Sequence, residues 1–291
     1  TLGAEVAGVV TEFLRPRGQI TMMNGAFGSS FYVAPWLDVF GGETSLRIPR
    51  EQMNYLRSTA HHKTILTLLK GNFEQQMGHE QILLFHKRCL AYGIFPGFFD
   101  WPPSGLGPGG RYWDHPEYYE RDREIFRTYQ PLTQTLAAAG WEPLTLARSS
   151  SDSVFVERFG PGEDGVLWLT LLNEDAQPHA TTLTIDARAL GLGREVRCMD
   201  VLSGRAVELA RRNGQLTAQI EVEADGVMML QVATPAQATA WRLAQAAETL
   251  RLGQVMRDAD AQTGRPAIAY AWHSEAEGYA REGDSLVLDG T

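Results

Sequence analysis

Apolar positions in the first 140 residues change period again and again. Short runs in which nearly every position is apolar alternate with stretches whose apolar positions recur every three to four residues, and the pattern renews at a spacing of about 30 residues. Glu5 to Leu14 has the helical period. Gln19 to Met23 reads as a short strand ended by Asn24-Gly25, and Ala34 to Phe40 as a second apolar run ended by Gly41-Gly42. Pro49 to Ala60 predicts a helix with its proline in the first turn, where a missing N–H costs nothing. Lys63 to Leu69 is the clearest strand. His79 to Tyr92 is the clearest helix, with Ile82, Phe85, His86 and Cys89 on one stripe and Gly93 as its stop. Ile94 to Phe99 reads as another buried strand, Pro102 to Gly110 as a loop, and Glu120 to Ala139 as a helix closed by Gly140. Strands apolar on both faces, alternating with helices, predict parallel βα units. Four such units make half of a (β/α)8 barrel.

Beyond Gly140 the period shortens to that of strands. Residues 154–158, 166–173, 181–186, 197–202, 207–210, 216–222 and 227–232 are β-rich and separated by turns, among them Gly162-Glu163-Asp164-Gly165 and the hairpin dipeptide Asn213-Gly214. Short strands at this density predict an antiparallel β-sandwich. Residues 238–260 return to a helical pattern rich in Ala, Leu and Arg, and 267–291 is strand-like. The expected fold class is therefore α/β: the C-terminal half of a (β/α)8 barrel over residues 1–146, an antiparallel β-sandwich over 147–234, and a helical linker opening a further β-rich segment over 235–291. Because the chain starts at Thr1 inside a helical pattern and stops within a strand-like one, it is read as a fragment lacking the first half of the barrel.

Composition narrows the function classes. With 44% hydrophobic and 21% charged residues over 291 positions, the chain has the apolar mass for a packed core. Its 26 Lys and Arg against 35 Asp and Glu give a net charge of −9, which repels nucleic-acid phosphates and anionic membrane surfaces. No apolar run reaches the roughly 18 residues of a spanning helix, and no signal peptide is visible. Two cysteines, Cys89 and Cys198, build neither a disulfide framework nor a cysteine-based zinc site, and both fall in apolar patterns as core thiols do.

Parallel barrels carry their chemistry at the C-terminal ends of the strands and in the loops beyond. That rule selects Asn24 and Gly25 after the first strand, Asp38 and Glu43 after the second, Lys70, Asn72 and Glu74 after the third, and Asp100 and Trp101 after the fourth. His61-His62 and His79 lack a metal-ligand spacing, so no metal is expected; His86, on the apolar stripe, reads as a hydrogen-bonded core histidine. The glycines at 105, 107, 109 and 110 have no strand–glycine–helix setting that would cradle phosphates, and no cofactor is expected.

Several stretches carry a family likeness: Ala34-Pro35-Trp36-Leu37-Asp38-Val39-Phe40-Gly41-Gly42-Glu43, Arg88 through Phe99, Tyr112-Trp113 through Arg121-Asp122-Arg123 with Tyr129-Gln130-Pro131-Leu132 and Gly140-Trp141-Glu142-Pro143, and, later, Asp200-Val201-Leu202-Ser203-Gly204 and Asp225-Gly226-Val227. In layout and phrasing, over about residues 19–232, the chain resembles bacterial barrel glycosidases with a C-terminal β-domain, most of all the α-galactosidase-like group. The resemblance implies hydrolysis of O-glycosidic bonds by two carboxyl groups, one protonating the leaving oxygen and the other attacking or activating water. Counting strands back from the exit, it implies Asp38 as acid/base, with Trp36 and Phe40 raising its pKa, and a nucleophile upstream of Thr1. A second barrel layout, with its nucleophile on the seventh strand, selects Glu74 instead. Asn24, Trp36, Glu43, Lys70, Asn72, Asp100 and Trp101 are the expected substrate contacts, because aromatic faces beside acids and amides suit an oligosaccharide. The competing expectation is a non-catalytic carbohydrate-binding or scaffold module with the same layout.

Overall fold

A computed structural model describes residues 2–25, 28–47, 49–60, 62–70, 78–99, 116–263, 279–282 and 285–288. Its N-terminal part holds α1 (Leu2–Leu14), β1 (Met22–Met23), a 3-10 helix over Gly28–Trp36, β2 (Val39–Thr44), α2 (Arg50–Ala60), β3 (Thr64–Lys70), α3 (His79–Tyr92), β4 (Phe95–Phe99) and α4 (Pro116–Ala139). The four strands form one parallel sheet in the order β1-β2-β3-β4. Among the described residues this sheet does not close into a barrel.

Alternation along the strands sorts its two faces. Phe40, Ile65 and Leu69 are buried against the helices, joined there by Met53 and Leu56 of α2 and Phe85 of α3. Thr67 and Thr44 lie on the same buried side, and the Thr67 hydroxyl donates to Thr44 Oγ1 at 2.6 Å, so two polar groups satisfy each other inside an apolar layer. Val39, Leu66 and Leu68 lie half-buried on the other face, from which Glu43 projects. Helix α3 stops where expected: Gly93 takes a left-handed φ of 65° and its N–H returns to Leu90.

The sequence misplaces β2. The apolar run 34–40 begins in the 3-10 helix, whose Ala34 and Val33 are buried by packing without being strand, and only its last two residues are strand, which starts at Val39 and runs through two glycines. The first of them, Gly41, has a steric reason. A Cβ on Gly41 would stand 2.6 Å from the Met23 carbonyl oxygen, so only glycine lets β1 lie this close to β2. Gly41→Ala is expected to lower stability by about 2 kcal/mol, since the obstacle is backbone and cannot rotate away. A shift of the urea midpoint of that size checks it, and an unchanged midpoint would show that β1 is not held there.

The remainder is antiparallel. Strands β5 (Trp141–Glu142), β6 (Ala147–Ser149), β7 (Val154–Phe159), β8 (Leu167–Asn173), β9 (His179–Asp186), β10 (Arg197–Asp200), β11 (Arg205–Val207), β12 (Ala210–Arg212), β13 (Gln215–Val222) and β14 (Val227–Ala233) form two sheets, ordered β11-β10-β14-β8-β7-β5 and β12-β13-β9-β6. The hairpin β12–β13 turns at Asn213-Gly214, both with positive φ (52° and 81°), as the sequence predicts. Leu167, Leu169, Leu171 and Leu230 face Leu183, Ile185, Leu216 and Ile220 across a shared core.

The other face of the six-stranded sheet is covered too. Trp168, Phe159 and Met229 pack with Ile82, Phe85, Ile125, Phe126 and Leu136 of α3 and α4. Strand β8 is consequently buried at all seven positions. The Thr170 hydroxyl donates to the Ala91 carbonyl of α3 at 2.6 Å, fixing the sheet to the helix layer. Helix α5 (Pro235–Thr263) follows; its Trp241 meets Trp168 edge to face at 5.1 Å, and Leu243, Leu250 and Val255 are exposed. Strands β15 (Tyr279–Glu282) and β16 (Ser285–Leu288) pair with each other in an antiparallel ladder. No helix among the described residues is long and apolar enough to cross a membrane.

Candidate functional site

Parallel strands bring their C-terminal ends to one edge, and here that edge carries Asn24 just beyond β1 and Glu43 near the end of β2. Asn24 Nδ2 donates to Glu43 Oε1 at 2.9 Å, and both side chains face solvent. The turn behind them is fixed by Gly25, with a φ of 75° and its N–H on the Gly41 carbonyl at 3.0 Å. The amide keeps its carbonyl oxygen and the carboxylate its second oxygen for another partner, so the pair presents donor and acceptor groups side by side. Lys70 ends β3 in register with Phe99 of β4 on the same edge. Asn72, Glu74, Asp100, Trp101 and the side chain of Lys70 lie outside the described residues.

Asp38 stands elsewhere. Because β2 begins at Val39, Asp38 precedes the strand and sits at the opposite, N-terminal edge of the sheet. Its Oδ2 accepts from the Thr21 backbone N–H and hydroxyl, each at 2.8 Å, and its Oδ1 pairs with Arg15 at 2.9 Å. The Thr21 backbone N–H, then the Thr21 hydroxyl, hold its pKa below the ordinary carboxylate value; burial opposes them, and Arg15 adds a lesser lowering. The expected rise toward a general acid is thus replaced by a fall, and Asp38 ties the end of α1 to the entry of β1 and β2. Trp36 goes with it. Its ring lies against Gly8 of α1 and its carbonyl accepts from the hydroxyls of Thr11 and Thr21, away from the Asn24–Glu43 edge.

The structure also assembles a group the sequence reading passed over. Helices α3 and α4 both begin on the side where β3 and β4 end, and there His79 Nδ1 donates to Asp122 Oδ1 at 2.9 Å. Asp122 is fully buried, and Arg121 holds both of its oxygens, at 2.9 and 2.7 Å. A carboxylate locked in this way fixes the tautomer and orientation of the imidazole at the start of α3. In the sequence Asp122 stands only as part of Arg121-Asp122-Arg123, with no partner marked. The helical spacing Tyr118, Asp122, Ile125, Phe126, Tyr129 was the available signal, since it sets the acid on the apolar stripe of α4. Among the described residues no cluster of three or more His, Cys, Asp or Glu is arranged to hold a metal ion. The thiols of Cys89 and Cys198 are buried, and burial raises both pKa values, to about 12 for Cys198.

No protein-family model matches the chain, and no curated protein does. Among solved structures, it is similar to α-galactosidase I from Mortierella vinacea, with 10% identity and a TM-score of 0.48 over 80% of this chain and 63% of that one. It is also similar to an α-amylase from Anoxybacillus, with 12% identity and a TM-score of 0.46 over 79% of this chain and 55% of the other. A maltogenic α-amylase from Thermotoga neapolitana gives 12% identity and a TM-score of 0.44 over 78% and 58%. The chain thus spans between 55% and 63% of the length of these glycoside hydrolases, and the likeness concerns the arrangement of elements alone.

Proposed function

We propose that the chain is part of a glycoside hydrolase whose sugar-binding edge is the C-terminal edge of the parallel sheet. The observation that carries this reading is the Asn24–Glu43 pair on adjacent strand ends. A carboxylate beside an amide is the usual way to hold neighbouring sugar hydroxyls, which donate to the one and accept from the other. Leu66 and Leu68, half-buried on the face from which Glu43 projects, supply an apolar floor for the C–H side of a sugar ring. In this reading the four βα units make up half of a (β/α)8 barrel, with the antiparallel region as its β-domain. Glu74 serves as one of the paired carboxyl groups, and Lys70, Asn72, Asp100 and Trp101 contact the substrate. Asp38 has no part in it.

Hydrolysis needs two carboxyl groups about 5 to 9.5 Å apart. Glu43 is the carboxylate that β2 supplies at this edge, and its exposed pairing with a neutral amide also suits a second reading, a module that binds sugar without cleaving it. A panel of nitrophenyl glycosides separates the two. Turnover that drops about tenfold in kcat/KM for Glu43→Gln, the loss of one charge-assisted hydrogen bond, supports the hydrolase. Calorimetric binding without release of nitrophenol, weakened by the same substitution, supports the binding module. Indifference of both readouts to Glu43→Gln would sink both.

A further inference from the structure

A second concave region lies away from this edge, between the 3-10 helix over Gly28–Trp36 and helix α2. It is a cavity of about 680 Å³, within the range of small-molecule sites. Its walls are mostly carbon. Phe31, Tyr32 and Tyr55, 56%, 40% and 45% exposed, present ring surface that the fold leaves uncovered, and Pro35 continues the apolar wall. Three exposed aromatics converging on one groove are unusual in a chain that buries Phe40, Phe85, Phe126 and Phe159 so completely.

Among the described lining residues the charged group is a cation, Lys63, although the chain as a whole carries a net charge of −9. Lys63 Nζ donates one hydrogen bond to the Ala34 carbonyl and has two donors left. Ser58 adds a hydroxyl to the same wall. Partial burial lowers the Lys63 pKa, Arg15 lowers it further, and Asp38, committed to Arg15 and Thr21, opposes this only in part. Among the described residues no carboxylate pairs directly with the Lys63 ammonium; Asp38 is held by Arg15 and Thr21.

We propose that this groove binds a small carboxylate with an aromatic or aliphatic body, its carboxylate on Lys63 and Ser58 and its body against Phe31, Tyr32 and Tyr55. Charge complementarity sets the headgroup and ring surface sets the body. A neutral sugar would leave the ammonium uncompensated and most of the carbon wall facing hydroxyls. The site is separate from the Asn24–Glu43 edge and does not depend on the reading given for it.

The test compares 4-phenylbutyrate with 4-phenylbutan-1-ol, which share a body and differ in the headgroup. By calorimetry the acid should bind about tenfold more tightly than the alcohol, the worth of one partly exposed charge-assisted contact. Lys63→Met should bring the acid down to the affinity of the alcohol, and Tyr55→Ser should weaken both. The acid should also protect Lys63 from acetylation, read by peptide mass spectrometry on the unaltered protein, so the result stands even if a variant folds poorly. Equal affinities for acid and alcohol, absence of saturable binding, or Lys63 reactivity that the acid leaves unchanged would each overturn the proposal. So would protection that rises with protein concentration alone, which would give the groove to a second copy of the chain.

Discussion

Glu157→Ala is expected to lower the stability of the protein by about 3–5 kcal/mol, because it strands a buried cation. Arg57, on α2, is almost wholly buried, and its guanidinium lies 3.0 Å from Glu157 Oε2 on β7. Two rings flank it, Trp141 at 4.3 Å and Tyr92 at 5.0 Å, and Asn54 accepts one of its hydrogen bonds. Its Nε and Nη1 have no hydrogen-bond partner. Burial pulls the Arg57 pKa down and Glu157 is the main influence opposing it. Glu157 also accepts from Trp141 Nε1 at 3.0 Å, and the half-exposed Arg50 guanidinium stands 3.9 Å away. Removing the carboxylate leaves the Arg57 charge and the Trp141 N–H without their acceptor. For a chain of this size the loss corresponds to a fall of about 10 °C in Tm. The double replacement Arg57→Met with Glu157→Met should cost much less than Glu157→Ala alone, since no charge is then left buried. A single-variant loss below about 1 kcal/mol would show that water reaches Arg57.

A second large effect is a pH dependence centred on His86. The ring is buried between Phe98, stacked at 5.5 Å, and Phe126, edge-on at 4.7 Å; Nδ1 donates to the Ile82 carbonyl at 2.9 Å. That bond places the proton on Nδ1 and leaves Nε2 bare and unpartnered among apolar neighbours. Burial pushes the pKa down to about 4, against small opposing effects of the Ile82 carbonyl and Asp122. Above the unfolded value of 6.5 neither state holds the extra proton, and the protein keeps its full stability. As pH falls from 6.5 toward 4 the unfolded chain takes up a proton that the native ring refuses, so stability declines, by about 3 kcal/mol once the folded pKa is passed. Denaturation curves from pH 7 to pH 4 should therefore slope more steeply for the natural protein than for His86→Leu, which has nothing to titrate at that position. Parallel slopes would mean that His86 reaches solvent.

Much of this architecture is written in the period of the apolar residues. Helix α3 occupies His79 to Tyr92 as its stripe predicts, Gly93 ends it, and the Asn213-Gly214 hairpin takes the turn its residues demand. The parallel order of β1 to β4 follows from strand–helix alternation. What failed was the local position of β2. Val33 and Ala34 are buried by a 3-10 helix as effectively as by a strand, and Gly41-Gly42, read as a terminator, is the middle of the strand, with β1 too close for a side chain at Gly41. That shift moved Asp38 from one edge of the sheet to the other and exchanged a general acid for a clasp on Thr21 and Arg15. Glu43 kept its place because it lies near the strand's end under either register. The Arg57–Glu157 and His79–Asp122 pairs span 100 and 43 positions of sequence, and no local pattern announces a charge whose partner is that distant. Only the periodic placement of Asp122 on an apolar stripe gave a hint.

The change of sequence grammar near residue 146 has the look of a seam made for cutting and splicing. Strand β8 argues otherwise: Leu167, Leu169 and Leu171 face one layer while Trp168, Thr170 and Leu172 face α3 and its neighbours. A recombination event that carried the antiparallel sheets into another gene without these helices would deliver a sheet with a tryptophan-bearing apolar back turned to water. The helices alone would lose the surface that covers Phe85 and Ile82. Descent should therefore transmit the two parts as a pair, and side chains that meet across the seam, such as Phe85 and Trp168, should change in concert across lineages.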